Sequence, residues 1–565
     1  MNNYENKVAL KILVATMPLA TLIMSPGLNS DPINWVKLCV VTTGVTISFF
    51  LYVQSGLGNF SRVPLPFLAC FLGVFLGITM SLIFANSRKV EDFYGVYGRA
   101  NGFLSYLMLL LVVFLGTQLS PSEALARLHK SLFWMAPLFL LYVSIQFVEK
   151  DPFGWSRSET FGTLGNINYS SALLGMLVIY WLTYSFSQKS SFLDFRKLLV
   201  LVLSLLAIFI VYKSGSIQGI FGLAYAVGIF SALKFSAKFK RFGKATTIIS
   251  ISIVNFFAIS TVYIASRKDL YQGLLYQETL AFRRDYMVAG LRMMKEFPVF
   301  GVGANNYGEW YRALRDESAA TRTLTDRTSN SAHSILIDLG AGTGSLAFFG
   351  ALLLIIIAFI RVVKVLKVTK NLHLKAGVML WLSYFPQFFI GIHNFGTSIW
   401  AWFIMGLLFN PKLFELDSSK AIVTTKKPKN NHASNKKFLY ADSNLLNPST
   451  FMKTLSVGTI AFVISAIPVY TDARYFAHVK SNELSKSLSL AQSHFAPSAL
   501  LEQTLDSYVR SKSPNEILSV ALQTVQRYPR SYYGWTVISE LAITPDGLRN
   551  QALSQLKKLN PYLPN

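Results

Sequence analysis

The sequence predicts an all-α, polytopic membrane protein, and three observations support that fold class. Hydrophobic residues fill 52% of the 565 positions and charged residues only 14%, whereas about a quarter of an average soluble domain is charged. Apolar stretches close to the ~20 residues that span a bilayer recur along the chain. Basic residues collect in some of the segments between these stretches and avoid others, which is typical of membrane topology.

About thirteen stretches are expected to be transmembrane helices, twelve in the core and one nearer the C-terminus. They are 8–25, 34–54, 63–84, 102–119, 131–148, 168–187, 197–212, 217–234, 246–265, 334–360, 376–393, 396–410 and 452–470. No small-residue cleavage site follows the first stretch, so it is expected to be a retained helix and not a signal peptide.

The net charge of +25 is explained by topology and not by nucleic-acid binding. Segments 234–244 and 361–375 are basic and contain no acidic residue, and most of 412–437 is basic as well. If the spans alternate from a cytoplasmic N-terminus, all three segments lie in the cytoplasm, which is the positive-inside pattern. Nucleic acid is therefore not expected as a partner.

The same alternation places the remaining polar segments outside the cytoplasm, namely 85–101, 149–167, 213–216, 266–332 and everything after Tyr470. The predicted domains follow from it: a core at 1–412 that includes a large extracytoplasmic loop at 266–332, a basic cytoplasmic linker at 413–450, a further span at 451–470 and an extracytoplasmic tail at 471–565.

The tail is predicted to be a small helical domain. Its end shows short helices separated by Pro-containing turns, opening at Pro514 and interrupted at Pro529. Such pairs resemble tetratricopeptide repeats, although only one or two repeats are visible. Two interpretations stay open, a helical cap on the membrane core or a module that binds an envelope-assembly protein. Only Cys39 and Cys70 occur, both within spans, so neither a disulfide nor a thiolate metal site is expected.

The first outer segments contain polar side chains suited to binding. Arg99 lies among glycines just before a span and could hold a phosphate through its planar guanidinium, unless it is an interfacial arginine. Asn166 and Asn168 precede the next span and could bind sugar hydroxyls; helix capping would explain Asn168 but accounts less well for Asn166. The short turn 213–219 must be buried in protein or line a wet cavity, which Lys213, Ser216 and Gln218 would then face.

The large loop begins with a predicted amphipathic helix that carries Arg283 and Arg284, either anion ligands or snorkelling residues. A Pro/Gly/Asn stretch at 298–307 ends that helix and contains Asn305. The loop then re-enters the apolar phase through Asn330 and His333. A lone histidine at a helix start is often structural, but this one shares its side with several arginines, which suits a base working beside a bound polyanion.

Together these segments resemble the O-antigen ligase superfamily, over most of residues 90–410. The stretch Gly162-Thr163-Leu164-Gly165-Asn166-Ile167-Asn168 is similar to a Gly-Thr-Phe-Gly-Asn-Pro-Asn element of that family. Its arginine-bearing helix followed by Pro-x-x-Gly-x-Gly resembles Arg283/Arg284 and the run 298–303. Its His-Asn/Ser signature before a glycine-bearing helix resembles His333-Ser334 with Gly344.

The resemblance implies a membrane glycosyltransferase of the bacterial inner membrane whose site faces the periplasm or cell exterior. Glycan would pass from undecaprenyl pyrophosphate to a hydroxyl of a lipid or glycan acceptor, with inversion and without metal or cofactor. His333 would be the base, assisted by Arg283 or Arg284. The substrate-binding residues would be Arg99, Lys213, Ser216, Gln218, Asn166, Asn168, Asn305 and Asn330.

Two positions depart from the family pattern. Many members carry Ser-Arg-Gly in the short outer turn, where this chain has Ser216-Ile217-Gln218-Gly219, so Lys213, Arg99 or the loop arginines would have to bind the pyrophosphate. Ala347 stands where Gly, Thr or Tyr is usual. Three alternatives to a ligase remain: an O-antigen-type polymerase, a polysaccharide transporter or flippase, and a non-catalytic assembly protein.

Overall fold

The structure is a computed structural model that describes residues 3–56, 63–154, 160–191, 194–239, 243–267, 277–322, 328–417 and 446–563. All regular secondary structure in these ranges is helical, as the sequence predicts. Nine of the described helices are long and apolar enough to cross a membrane, consistent with a multi-pass membrane protein.

The helices before the large loop are α1 (Asn3–Leu22), α2 (Asn34–Gln54), α3 (Leu65–Phe84), α4 (Lys89–Tyr94), α5 (Phe103–Gln118), α6 (Pro121–Phe147), α7 (Ile167–Phe186), α8 (Phe195–Lys213), α9 (Gln218–Ser236) and α10 (Gly243–Ala265). The loop contains α11 (Glu278–Glu296), α12 (Tyr307–Leu314) and α13 (Glu317–Arg322). The rest of the core is α14 (Ile335–Thr343), α15 (Ser345–Val368), α16 (Leu372–Tyr384), α17 (Gln387–Ile390), α18 (Phe395–Leu408) and a 3₁₀ helix at Leu413–Asp417. The C-terminal part has α19 (Pro448–Lys480), α20 (Leu484–Ala491), α21 (Ser498–Ser511), α22 (Pro514–Arg527), α23 (Tyr532–Glu540) and α24 (Asp546–Leu559).

All thirteen predicted spans are helical for most of their length, but length and hydropathy support fewer crossings. The nine supported spans in the described part of the chain are α2, α3, α6, α7, α8, α9, α10, α15 and α19. Helix α5 is apolar but shorter, and α1 is not among the nine. The segment Leu372–Ile390, which contains α16 and α17, and helix α18 form a pair bent by 118°. The described part of the chain has ten candidate spans if this pair is counted as one. The count of thirteen therefore stays a prediction.

The predicted span 334–360 is not one helix but two, since the chain breaks at Gly344 between α14 and α15. Gly344 has a φ of +86°, which L side chains rarely adopt, and a Cβ there would lie 2.1 Å from the carbonyl oxygen of Val299. Both the backbone angle and the close approach require glycine. The hydropathy pattern does not reveal the break because apolar residues flank it on both sides.

The break is filled by the loop segment 298–303. The amide of Val302 donates to the carbonyl of Ala341 (2.9 Å), and the amide of Gly303 donates to that of Gly342 (3.0 Å). From the other side of the break, the amide of Ser345 donates to the carbonyl of Pro298 (2.8 Å). Backbone groups at the ends of α14 and α15 are thereby satisfied within the protein. The large loop is consequently fixed to the core at this point.

The predicted spans 376–393 and 396–410 form a bent pair whose chain turns back at 391–394. The guanidinium of Arg361, near the end of α15, donates to the carbonyl of Leu408 at the end of α18 (2.8 Å). The ammonium of Lys364 lies 4.6 Å from the ring centre of Phe414. The chain after α18 therefore returns to the end of the bundle where α15 finishes.

The basic segments 234–244 and 361–375 meet at that end of the bundle. The ammonium of Lys367 donates to Thr247 Oγ1 (2.7 Å), and those of Lys234 and Lys375 both lie over the ring of Phe230. Helices α9 and α15 run from the opposite end, where the large loop docks, to this basic end. The predicted linker at 413–450 lies mostly outside the described residues.

Helix α19 runs unbroken from Pro448 to Lys480, so the predicted division at residue 470 falls inside a helix. With 33 residues it is about 50 Å long, and it packs along α2. The five tail helices that follow enclose their own apolar core. The tail also touches the membrane core, because the amide of Ser498 donates to Glu91 Oε1 (2.7 Å) and Arg315 donates to Asn560 Oδ1 (3.2 Å).

Replacing Gly344 by alanine should destabilise the fold by about 1–3 kcal/mol, because the added methyl group meets the backbone of the docked segment in a left-handed conformation. Thermal unfolding of the purified protein in detergent would measure the change. Gly27→Ala is the matched control, since Gly27 also has a positive φ (+76°) but nothing within 4 Å of an added Cβ. Equal stability losses in the two variants would contradict the role given to the docked segment.

Candidate functional site

The turn that carries His333 is held by a carboxylate from the helix that follows. Asp338 accepts hydrogen bonds from Ser331 Oγ and from the amide of Ala332, both at 2.6 Å. Ser331 Oγ in turn accepts from the amide of His333 (2.9 Å). His333 adopts a φ of +54°, which is uncommon for a residue with a side chain. The network therefore stabilises a strained backbone that points to a functional role for this residue.

Helix α11 covers the histidine with an aromatic ring. Tyr286 stacks on His333 with ring centres 5.3 Å apart and planes inclined by 29°. Tyr286 follows Arg283 by one helical turn, so the same face of α11 presents the ring and the guanidinium. This arrangement places the predicted arginine helix directly against the histidine.

Arg283 is almost fully buried and is held from two sides. One terminal nitrogen donates to the carbonyl of Ile390 (3.3 Å), at the end of α17. The amide of Gln218, oriented by its neighbours, accepts from both terminal nitrogens of Arg283 at 2.6 and 2.9 Å and donates to Gln387 Oε1 at 3.0 Å. The start of α9 and the break after α17 thus fix the guanidinium.

Arg99 reaches the site from the segment between α4 and α5. Its guanidinium donates to the hydroxyl of Tyr169 on α7 (2.7 Å). Asn101 donates from its amide nitrogen to the carbonyl of His393 in the break before α18 (3.1 Å). Asn305 Oδ1 accepts from the amides of Val96 (2.9 Å) and Asn101 (3.2 Å). The predicted residue Asn305 therefore positions the Arg99 segment.

The two predicted asparagines at the start of α7 have roles opposite to those that capping suggested. Asn166 is the N-cap, since its side chain accepts from the amide of Asn168 (2.8 Å). The side chain of Asn168 instead accepts from Ser216 Oγ (2.9 Å). Two asparagines two residues apart leave the position of the cap ambiguous in the sequence, and the fold resolves it in favour of Asn166.

Arg283 and Arg99 both act electrostatically on His333. Burial first, and then the positive charges of Arg283 and Arg99, lower the pKa of His333 from its ordinary value to about 3. The imidazole is therefore neutral at any physiological pH in the ligand-free protein. Two cations beside a neutral base form a site that attracts anions.

A cavity of about 660 Å³ lies beside this cluster, bounded by α9, α10, α11, α14, α15 and α17. Arg283, Arg284 and Ser334 are among its few polar lining residues. The remaining wall is apolar, with residues such as Tyr225, Val262, Met287, Ile337, Leu352 and Phe389. The site thus joins a cationic cluster to a space suited to a hydrocarbon chain.

Three predicted site residues lie apart from the cluster. Lys213 is exposed at the end of α8, and no described contact joins it to the arginines. Arg284 is 31% exposed, lies 3.5 Å from Asp285 and faces the apolar cavity. Asn330 is exposed and lines a separate groove beside Gly308. Within the described part of the chain, no three His, Cys, Asp or Glu side chains are arranged to hold a metal ion, and the expected independence of metal stays a prediction.

The sequence did not identify several residues of the site. In the sequence, Tyr169 and Tyr286 look like ordinary interfacial aromatics, and nothing distinguishes Asp338. Gln387 and His393 lie in the predicted span 376–393. Polar residues within an apolar stretch often indicate function, so this signal could have identified them.

Comparison with known proteins adds no further information on function: no protein-family model matches the chain, and no curated protein matches it significantly. The fold and the site define a class, a multi-pass membrane protein with two arginines and a histidine beside an apolar cavity. The particular activity has to be inferred from these residues.

Removing the charge of Arg283 should raise the pKa of His333 towards its ordinary value of 6.5, because a nearby cation that opposes protonation is lost. Histidine-selective NMR of the detergent-solubilised Arg283→Gln protein would follow the titration, with His333→Gln used to assign the resonance among the seven histidines. Arg284→Gln is the matched control and should leave the pKa unchanged. Equal titration of wild type and Arg283→Gln would refute the proximity of the two groups.

Proposed function

We propose that the protein is a membrane glycosyltransferase of the O-antigen ligase type, which transfers a glycan from undecaprenyl pyrophosphate to an acceptor hydroxyl during assembly of a surface polysaccharide. The observation that carries the proposal is the convergence of Arg99, Arg283 and His333 beside the apolar cavity. These three residues are at least fifty residues apart in the sequence, yet they share one site. A polyprenyl pyrophosphate combines the two chemistries that such a site accommodates, an anion and a hydrocarbon chain.

The arginines suit the pyrophosphate. A guanidinium presents planar donors that match phosphate oxygens and stays charged when partly buried. Arg283 is fixed by Gln218 and by the carbonyl of Ile390 before any ligand binds, so little ordering cost remains. Gln218 stands where the superfamily that the sequence resembles usually has an arginine, and its contact with Arg283 supports assigning the anion-binding role to Arg283.

The proposed reaction is a displacement at the anomeric carbon. The acceptor oxygen forms a bond to that carbon from the face opposite the pyrophosphate, so the configuration inverts. The bond from the carbon to the pyrophosphate oxygen breaks, and its electron pair leaves with the pyrophosphate. The acceptor proton passes to His333, while Arg99 and Arg283 stabilise the charge that grows on the leaving group.

The low pKa of His333 is compatible with this role. A base with a pKa near 3 accepts protons poorly, but the two charges that help to depress it are those that a bound pyrophosphate would offset. Donor binding should therefore raise the pKa of His333 and improve it as a base. The histidine would become effective only when the leaving group is in place.

We place this site on the extracytoplasmic face of the bacterial inner membrane. The support is the separation of the basic segments 234–244 and 361–375, at one end of α9 and α15, from the cluster at the other end, which follows the positive-inside pattern. The acceptor distinguishes two versions of the activity. A ligase uses a lipid or other final acceptor, whereas a polymerase uses another lipid-linked repeat unit.

Purified protein in detergent with EDTA should transfer glycan from native lipid-linked oligosaccharide, and His333→Ala should reduce the rate by about 10²–10⁴-fold, the range expected for loss of a general base. Products would be resolved by chain length. A ladder would indicate polymerase activity, and a single shift that requires an added acceptor would indicate ligase activity.

The matched control for this assay is His494→Ala, because His494 is exposed in the tail and should not affect the rate. Near-normal transfer by His333→Ala would refute the proposed base. Absence of turnover with any native donor would refute the transferase and favour a transporter or an assembly protein.

The acid limb of the kcat profile should lie at a higher pH than the acid limb of kcat/KM for the donor. The kcat/KM profile reports the free enzyme, where the pKa of His333 is about 3, whereas kcat reports the complex, where bound pyrophosphate raises it. Loss of activity on acidification in either profile would follow protonation of the base. Over pH 4 to 8, initial rates should show kcat falling towards acid while kcat/KM stays flat, and equal declines of the two parameters would contradict the proposal.

A further inference from the structure

We infer that the groove between the tail and the large loop binds the saccharide part of the substrate, as an uncharged, hydroxyl-rich oligosaccharide; this inference rests on the proposed function. The groove has a volume of about 650 Å³. The wall on the core side is formed by the segments around Arg88, Tyr97 and Asn305–Arg312, and the other wall by α21 and α23 of the tail.

The two walls of the groove are joined by cation–aromatic contacts. The guanidinium of Arg312 lies 4.2 Å from the ring centre of Tyr532, and that of Arg530 lies 3.6 Å from the ring centre of Trp310. Arg530 also donates to the carbonyl of Glu309 (3.2 Å). Each contact joins a loop residue to a tail residue, so the tail is positioned as part of the site.

The charges of the groove favour a neutral ligand. Three arginines and three glutamates line it: Arg88, Arg312, Arg530, Glu309, Glu502 and Glu540. Arg88 and Glu309 form an ion pair at 2.6 Å. The lining is therefore close to neutral overall, which gives a polyanion such as pyrophosphate no advantage. It offers donors, acceptors and aromatic faces, as sugar hydroxyls and sugar ring faces require.

The groove adjoins the proposed catalytic cluster. Asn305 lines the groove and also lines a small cavity shared by Arg99, Asn101 and Asp338. A glycan lying in the groove would therefore be separated from the Arg99 segment by a single residue. A protein partner would gain nothing from this proximity, which is why we favour a glycan over a peptide.

The inference is tested by filling the groove with Thr536→Trp in the full-length protein, since Thr536 lies on α23 and lines the groove. The probe is the oligosaccharide released by mild acid from the native lipid-linked glycan, and its binding to the detergent-solubilised protein is measured directly. We expect Thr536→Trp to weaken binding about tenfold or more, an effect typical of losing one good contact surface. Ser554→Trp, exposed on α24 and outside the groove, is the matched control. Glu540→Gln provides a milder second variant if Thr536→Trp fails to fold.

His333→Ala should bind the oligosaccharide as tightly as the wild type, which separates this inference from the proposed function. If the wild type is active and neither Thr536→Trp nor Glu540→Gln changes oligosaccharide binding, the inference about the groove is wrong and the proposed transferase activity stands. If Thr536→Trp raises the KM for the lipid-linked donor, the donor glycan lies in the groove. If it raises the KM for the acceptor, the acceptor lies there. Either result supports the inference. If Thr536→Trp instead abolishes co-purification of an envelope protein and leaves oligosaccharide binding unchanged, the groove is a protein-binding surface and the inference is wrong.

Discussion

Backbone groups at a helix break must find partners inside the protein, because the apolar phase offers them no water. This constraint shapes the whole site. The break at Gly344 is satisfied by the segment 298–303, which fixes the large loop. At the break that follows α17, the carbonyls of Ile390 and His393 accept from Arg283 and Asn101. The interruptions of the helices thus provide the attachment points for the side chains that carry the proposed chemistry.

The sequence was sufficient to find the residues that carry charge into an apolar setting. Arg99 and His333 stand at boundaries between polar and apolar stretches, where an ionisable group is costly and therefore informative, and Arg283 stands on the predicted amphipathic helix. The all-helical class followed from composition and from the recurrence of apolar stretches. The structure adds that the three residues meet, which no pattern in a single chain can establish because their contacts are long-range.

The rest depended on tertiary contacts that hydropathy does not encode. Polarity marks where a membrane begins, not where a helix ends, so the continuation of α19 beyond residue 470 was missed. The break at Gly344 depends on the approach of Val299, and the bend between α16 and α18 on a turn that is itself mostly apolar. Lys213 was predicted as a binding residue because it is charged and lies in a short turn. The direction of its side chain is instead set by the end of α8.

The way the tail binds to the core determines whether the protein can be made as two separate polypeptides. Helix α19 packs along α2, and Ser498, Arg530 and Asn560 bond to the core, so the tail is placed by noncovalent contacts both within the apolar phase and beyond it. Covalent continuity between residues 417 and 446 is not what holds it there. Two separately translated polypeptides, divided in that interval, would carry all the information needed to reassemble the same molecule.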